Sequence, residues 1–246
     1  SGEGWSQTRL DVDYKADTFH AGKGCTKLPL IAVIPDGIVS ERFASVAEKA
    51  PHSFIWSSSP DRGLFELLSM WDKIRSMWAD ATFNIYYGWE YFNSSLYIPE
   101  QRELKQKLLQ LIKQPGVTWR GRVSQEALAD AFAKSEVWLY PPHSFRETCC
   151  ITALEAQAAR VLCVYRLNGA LPETVGSRGL GIGLHSKPER IIQHIENFYK
   201  RPQAYRDNFL DSAREWALKQ TWESVAKGWM QLVDRLLEVS NEQKTD

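Results

Sequence analysis

Two glutamates, Glu147 and Glu155, stand either side of seven residues in "RETCCITALEAQAA", and none of the residues between them is charged. The apolar run "VWLYPP" before them reads as the end of a strand, "HSFRETCC" as a loop, and "ITALEAQAA" as a helix of good helix formers. The backbone N–H groups of Cys149, Cys150 and Ile151 then fall at a helix N-terminus. Unsatisfied amides and the positive end of the helix dipole make such a terminus suited to an anion, phosphate above all. A bare carboxylate beside bound phosphate would be repelled by it, so the task that suits Glu147 and Glu155 is accepting hydrogen bonds from neutral hydroxyls. Carboxylates at both ends of a phosphate site match a ligand with hydroxyls at both ends: ribose, diphosphate, sugar. His143, a loop histidine after two prolines, reads as a surface residue rather than a base.

These residues need a scaffold that delivers a loop to a helix start. Short apolar runs, "LIAVI", "SFIWSS", "FNIYYG", "VTWRG", "VWLYP", "VLCVYR" and "GIGLH", alternate with helical patterns from Leu28 onward. After "SFIWSS", Leu64, Leu67, Leu68, Trp71, Ile74 and Trp78 recur at helical spacing with Asp72, Lys73 and Arg75 between them, which predicts one amphipathic helix. Strands apolar on both faces and separated by helices predict a doubly wound, Rossmann-like α/β fold: a parallel sheet with helices on both faces. Such sheets bind ligands outside the carboxyl ends of their strands. Three consecutive helical patterns follow without strands, the last with Thr221 as its cap and an apolar stripe of Trp222, Val225, Trp229, Leu232 and Leu236. That stripe either closes the same sheet or crosses to a second lobe. Residues 1–30 read as a connector or remnant of another lobe, 31–202 as the ligand-binding lobe, and 203–246 as a C-terminal helical extension.

Composition narrows the class. The 246 residues are 43% hydrophobic and can bury a sizeable core. Thirty basic and thirty acidic residues give no net charge, so no overall field draws the chain to nucleic acid or anionic lipid. Cys25, Cys149, Cys150 and Cys163 show no metal-ligand spacing and read as reduced thiols, with a redox switch at the adjacent Cys149 and Cys150 a minor alternative. No apolar run is long enough to span a membrane. The "GKGCT" stretch lacks P-loop spacing, and the "NSS" at Asn93 is a glycosylation sequon with nothing else pointing to secretion.

The glutamate pair with its seven-residue spacing resembles the signature of retaining family 4 glycosyltransferases, which have the two-lobed glycosyltransferase B fold. "VIPDGI" (33–38), "SSSPDRGL" (57–64), "GRVSQEALADAF" (121–132) and "GALPETVG" (169–176) match the same family in order and spacing. The resemblance covers about residues 30–235 and is to the C-terminal, donor-binding lobe. It implies that Glu147 contacts hydroxyls of the donor sugar and Glu155 those of the ribose. Thr148 and the amides of Cys149, Cys150 and Ile151 correspond to the loop holding the diphosphate. Arg62 stands where the family has a lysine against the departing diphosphate, and Arg122 and Val123 match the segment whose backbone meets the nucleobase. A second basic residue usual upstream is replaced by Ser57, Ser58 and Ser59, of which Ser58 is the expected donor contact. Cys150 and Arg160 stand at positions where the family has glycine. The resemblance further implies retaining transfer from a nucleoside diphosphate sugar to an acceptor hydroxyl, with no metal or cofactor, in a cytoplasmic protein whose peripheral attachment to a membrane is left open. A non-catalytic binding module and a nucleotide-sugar epimerase of related fold are the alternatives.

Overall fold

The computed structural model describes residues 33–141 and 145–242. The chain divides into two compact units, Ser1–Val33 and Ile34–Asp246; all of the first except Val33 lies outside the described residues, as does His143. In the second unit six strands form one sheet: β1 (Ser53–Trp56), β2 (Thr82–Ile85), β3 (Val117–Trp119), β4 (Val137–Tyr140), β5 (Leu162–Arg166) and β6 (Leu180–Ile182). Their order is β3-β2-β1-β4-β5-β6 and every pairing is parallel. This is the doubly wound arrangement that the alternation of apolar runs and helical patterns predicts.

The expected strand "LIAVI" lies mostly outside the described residues. Residues 30–32 lie outside the described part, and Val33 and Ile34 are irregular, with Val33 82% exposed. Pro35 and Gly37 follow at once, and Ile38 makes only a single parallel bridge to Thr221. Among the described residues the first strand of the sheet is β1.

The helices α1 (Leu64–Ser69), α2 (Trp71–Met77), α3 (Trp89–Asn93) and α4 (Pro99–Leu111) precede β3, and α5 (Gln125–Lys134) precedes β4. Next come α6 (Ile151–Ala158), α7 (Leu171–Thr174), α8 (Pro188–Tyr199), α9 (Gln203–Ala217) and α10 (Trp222–Glu242). The single helix expected over Leu64–Trp78 breaks at Met70, whose φ of −102° and ψ of 1° interrupt the ladder between α1 and α2. Both halves keep the predicted apolar face: Leu64, Leu67, Leu68, Trp71 and Ile74 are buried. Each such side chain contributes about 1.5–3 kcal/mol of hydrophobic stabilisation. Helices α1, α2, α4 and α8 pack among themselves, and α5, α6 and α9 form a second group, as right-handed crossovers to the two faces of this strand order require. In α5, Ser124 caps the first turn by accepting the amide of Ala127 at 3.1 Å.

Two cations tie the second group together. Arg160, at the end of α6, has a left-handed φ of 61°, a conformation that strains an L-residue by about 1 kcal/mol. Its guanidinium reaches Asp207 at 2.6 Å and Asp211 at 2.5 Å on α9, contacts that glycine could not make. Lys49 Nζ donates to the carbonyls of Ala133 and Ala159, both at 2.9 Å, so one amine caps the ends of α5 and α6. Burial, with Arg160 as the next cause, pushes its pKa down to about 8.

Candidate active site

The order of the sheet reverses at β1, which has β2 on one side and β4 on the other. Loops leaving β1 and β4 therefore run to opposite faces and leave a crevice at the strands' carboxyl ends, where a doubly wound sheet holds its ligand. The loop after β1 carries Ser57 to Arg62, and the loop after β4 carries Glu147 to Cys150. Topology thus brings together the two segments with the strongest chemical content in the sequence.

Glu147 is 5% exposed. Tyr140, at the end of β4, donates its hydroxyl to Glu147 Oε1, and Arg62 Nη1 lies 3.5 Å from the same oxygen. Arg62 closes a short 3-10 turn (Pro60–Arg62), and Gly63, with φ 107°, swings the chain into α1 through a conformation that glycine supplies without strain. The guanidinium also rests 4.5 Å over the ring of Phe145.

The backbone of the Glu147 loop is pinned by the "GALPETVG" segment and the residue before it: Ala170 N donates to Glu147 O at 2.8 Å and Asn168 Nδ2 to Phe145 O at 2.9 Å. Gly169 has φ +56°, and a Cβ there would lie 2.4 Å from Glu147 O and 2.6 Å from Glu147 N. Gly169→Ala should lower stability by about 2 kcal/mol, combining backbone strain with a collision against backbone. Urea denaturation measures it; an unchanged midpoint would show that the loop does not depend on this contact.

Glu155 lies one turn into α6, 9% exposed. It faces a cavity of about 320 Å³ lined also by Arg42, Ser57, Ile151, Thr152 and Trp222. Among the described residues no group hydrogen-bonds its carboxylate. Burial raises its pKa to about 7, against the opposing charge of Arg42. A buried carboxylate without a partner is an expensive feature, and partners arriving with a ligand would explain its retention. A larger open hollow of about 1080 Å³, lined by His185, Lys187, Arg190 and His194, lies along β6 and α8 at the sheet edge; no expected site residue lines it.

Between the glutamates, the amides of Cys150, Ile151 and Thr152 receive no backbone carbonyl among the described residues, and no side chain caps α6. Thr148 and Ile151 are exposed at this terminus, and Cys149 is half-buried. Cys150 has φ −107° and ψ 88°, so this position makes no demand for glycine. Burial pushes the Cys150 thiol up to about 12 and also raises that of Cys149, which disfavours the thiolates that redox chemistry requires.

Of the expected site residues only Ile151 and Glu155 line the Glu155 cavity; Arg62, Glu147, Thr148, Cys149 and Cys150 are not among its lining residues, nor are the remaining expected contacts. Ser58 is buried, its hydroxyl 3.4 Å from Thr152 Oγ1, and its neighbour Ser57 lines the cavity instead. Arg122 and Val123 follow β3, Arg122 exposed and Val123 half-buried, beyond the residues that line the cavity. Trp89 stacks on Trp119 at 4.3 Å and 1°, and Asn93 accepts from Lys105 at 2.6 Å. Tyr140, Arg42 and Trp222 gave no chemical signal in the sequence: the tyrosine is one aromatic in a strand, and the other two reach the site by tertiary packing. No group of acidic, histidine or cysteine residues that could hold a metal occurs among the described residues.

The fold and the crevice define the class: a Rossmann-like lobe of the glycosyltransferase B type. The chain belongs to the glycosyl transferases group 1 family, whose model matches residues 54–216. No curated protein matches it in sequence. Among solved structures it is similar to a sucrose-phosphate synthase from Thermosynechococcus elongatus, with TM-score 0.66 and 19% identity over 84% of this chain and 52% of that one. A glycosyltransferase from Rickettsia africae gives TM-score 0.66 and 15% identity over 84% and 57%. The pneumococcal O-GlcNAc transferase GtfA, solved with UDP and GlcNAc, gives 0.51 and 18% over 84% and 38%. The chain spans about half the length of the first two.

Proposed function

We propose that this lobe binds a nucleoside diphosphate sugar and forms the donor half of a retaining, metal-independent glycosyltransferase. The observation that carries the reading is the placement of Glu147 and Glu155 on either side of the α6 amides at the point where the sheet order reverses. Glu155 would accept the ribose hydroxyls, the α6 amides and Arg62 would take the diphosphate, and Glu147 would meet the sugar. In transfer, the bond from the anomeric carbon to the diphosphate oxygen breaks while the acceptor oxygen attacks from the same face. The acceptor proton passes to the leaving diphosphate, so the protein need supply no nucleophile. Positive charge aimed at that leaving group stabilises the transition state in which its charge grows.

A second lobe has a surface to pack on in this reading. Along α10, Trp222, Trp229, Met230, Val233, Leu236 and Leu237 are exposed at helical spacing, and the solved neighbours are about twice as long as the matched region. No helix among the described residues is long and apolar enough to cross a membrane.

Calorimetric titration with UDP, GDP and ADP, each with and without glucose, tests the assignment. Saturable heat is expected for one base, with its glucose conjugate binding more tightly than the diphosphate. Absence of heat with every ligand would favour a module that has lost its donor site.

A further inference from the structure

Tyr140 has an environment unlike that of the other described tyrosines. Its ring stacks against Trp56 on β1, 5.1 Å away at 28°, and against Trp138 two residues earlier on β4, 4.8 Å away at 9°. All three side chains are fully buried. A buried ring stacked on two indoles has little freedom to turn its hydroxyl elsewhere, and that hydroxyl donates to Glu147 Oε1. Burial, followed by the nearby Cys150 and Glu147, raises its pKa far above the ordinary tyrosine value. Tyr140 therefore remains a protonated donor throughout the physiological range.

The sequence supplies no reason for a tyrosine here beyond packing, and phenylalanine would fill the same space. Glu147 sits on a loop, where a side chain ordinarily samples several rotamers, and a loop carboxylate reads sugar hydroxyls well only if its orientation is set before the ligand arrives. We propose that Tyr140 is the positioning residue for Glu147: its hydroxyl, with Arg62 on the same oxygen, fixes the carboxylate so that its remaining acceptor capacity is presented to the donor sugar. Tyr140 does not touch the ligand. It acts on recognition of the sugar and leaves recognition of the nucleotide to Glu155 and the α6 amides.

This inference rests on the nucleotide-sugar reading above and can fail separately from it. Tyr140→Phe removes one oxygen and keeps the aromatic stack. The test measures affinities of wild type and Tyr140→Phe for a nucleoside diphosphate and its glucose conjugate, using the base that wild type prefers, together with the melting temperature of each protein. The variant is expected to bind the diphosphate within about twofold of wild type and to lose about tenfold in affinity for the conjugate, as deletion of a hydrogen bond to a charged group predicts. Equal losses for both ligands, accompanied by a lower melting temperature, would assign Tyr140 a purely structural role and overturn the proposal. An undiminished preference for the conjugate would overturn it as well. If wild type binds the diphosphate but the conjugate no better, the nucleotide site stands and this inference falls; if wild type binds neither, both readings fall.

Discussion

Glu155→Gln is expected to abolish measurable binding of a nucleoside diphosphate sugar and, in the same protein, to raise stability. Both effects arise from one circumstance, a carboxylate 9% exposed with no hydrogen-bond partner among the described residues and a pKa lifted to about 7 by burial. An acid whose folded value lies above its unfolded value of 4.5 destabilises the fold at alkaline pH, where both states are charged. That penalty shrinks as pH falls through about 7 and is gone below 4.5. The full shift corresponds to about 3 kcal/mol, of which a neutral amide, itself polar and buried, would recover about 1–2 kcal/mol. Thermal melts at pH 8 should show Glu155→Gln about 5 °C above wild type, the gap closing toward pH 5. Ligand binding has the opposite pH dependence, because ribose hydroxyls donate to the charged form. Wild-type affinity should fall below pH 7, and binding there should release a proton, visible as a buffer-dependent heat. A Glu155→Gln variant that binds as tightly as wild type would remove Glu155 from the site.

Arg62→Ala should weaken nucleoside diphosphate binding by about tenfold to a hundredfold, the scale of one charge-assisted, two-pronged contact to phosphate. Transfer should fall further, by about 10²–10³, if the leaving charge depends on this guanidinium. Among the described residues the position has no evident substitute: the upstream cation usual in the resembling family is a serine run here, and Arg42, which lines the Glu155 cavity, lies against Glu126 at 3.5 Å. Stability should drop by about 1–2 kcal/mol, since Glu147 loses its cation while keeping Tyr140, an effect moderated by the partial exposure of Arg62. Arg62→Lys should restore part of the affinity without the bidentate geometry. Calorimetry with the preferred diphosphate decides it, and an unaltered dissociation constant for Arg62→Ala would rule out the phosphate role.

Much of this was legible in the residues. Runs such as "SFIW", "VWLY" and "LCVYR", apolar on both faces, demand burial from both sides, and only a sheet covered by helices provides it. The start of α6 directly after a polar loop was legible too, because a switch from strand period to helix period is local information. Of "LIAVI" only Val33 and Ile34 lie among the described residues, and these are irregular: apolar content marks a strand candidate without supplying a neighbouring strand to hydrogen-bond it. The single helix expected over Leu64–Trp78 kept its apolar face but not its continuity, since periodicity reports which side is buried and says little about a break at Met70. Cys150 illustrates the converse: a position where glycine is usual holds a cysteine at negative φ, a fact of backbone geometry that residue identity does not carry.

The type of chemistry proposed came from local pattern for the two carboxylates flanking a helix start, and from the family resemblance for the cation just before another helix. Which groups complete that chemistry is a long-range matter. Tyr140 reaches Glu147 because β4 stops beside its own loop, and Gly169 pins that loop from the end of β5. Arg42 and Trp222 reach the Glu155 cavity from opposite ends of the chain. Side-chain types and their spacing encode what an element can offer. The contacts made between elements distant in sequence encode what each group faces, and burial, pKa and orientation follow from those contacts alone.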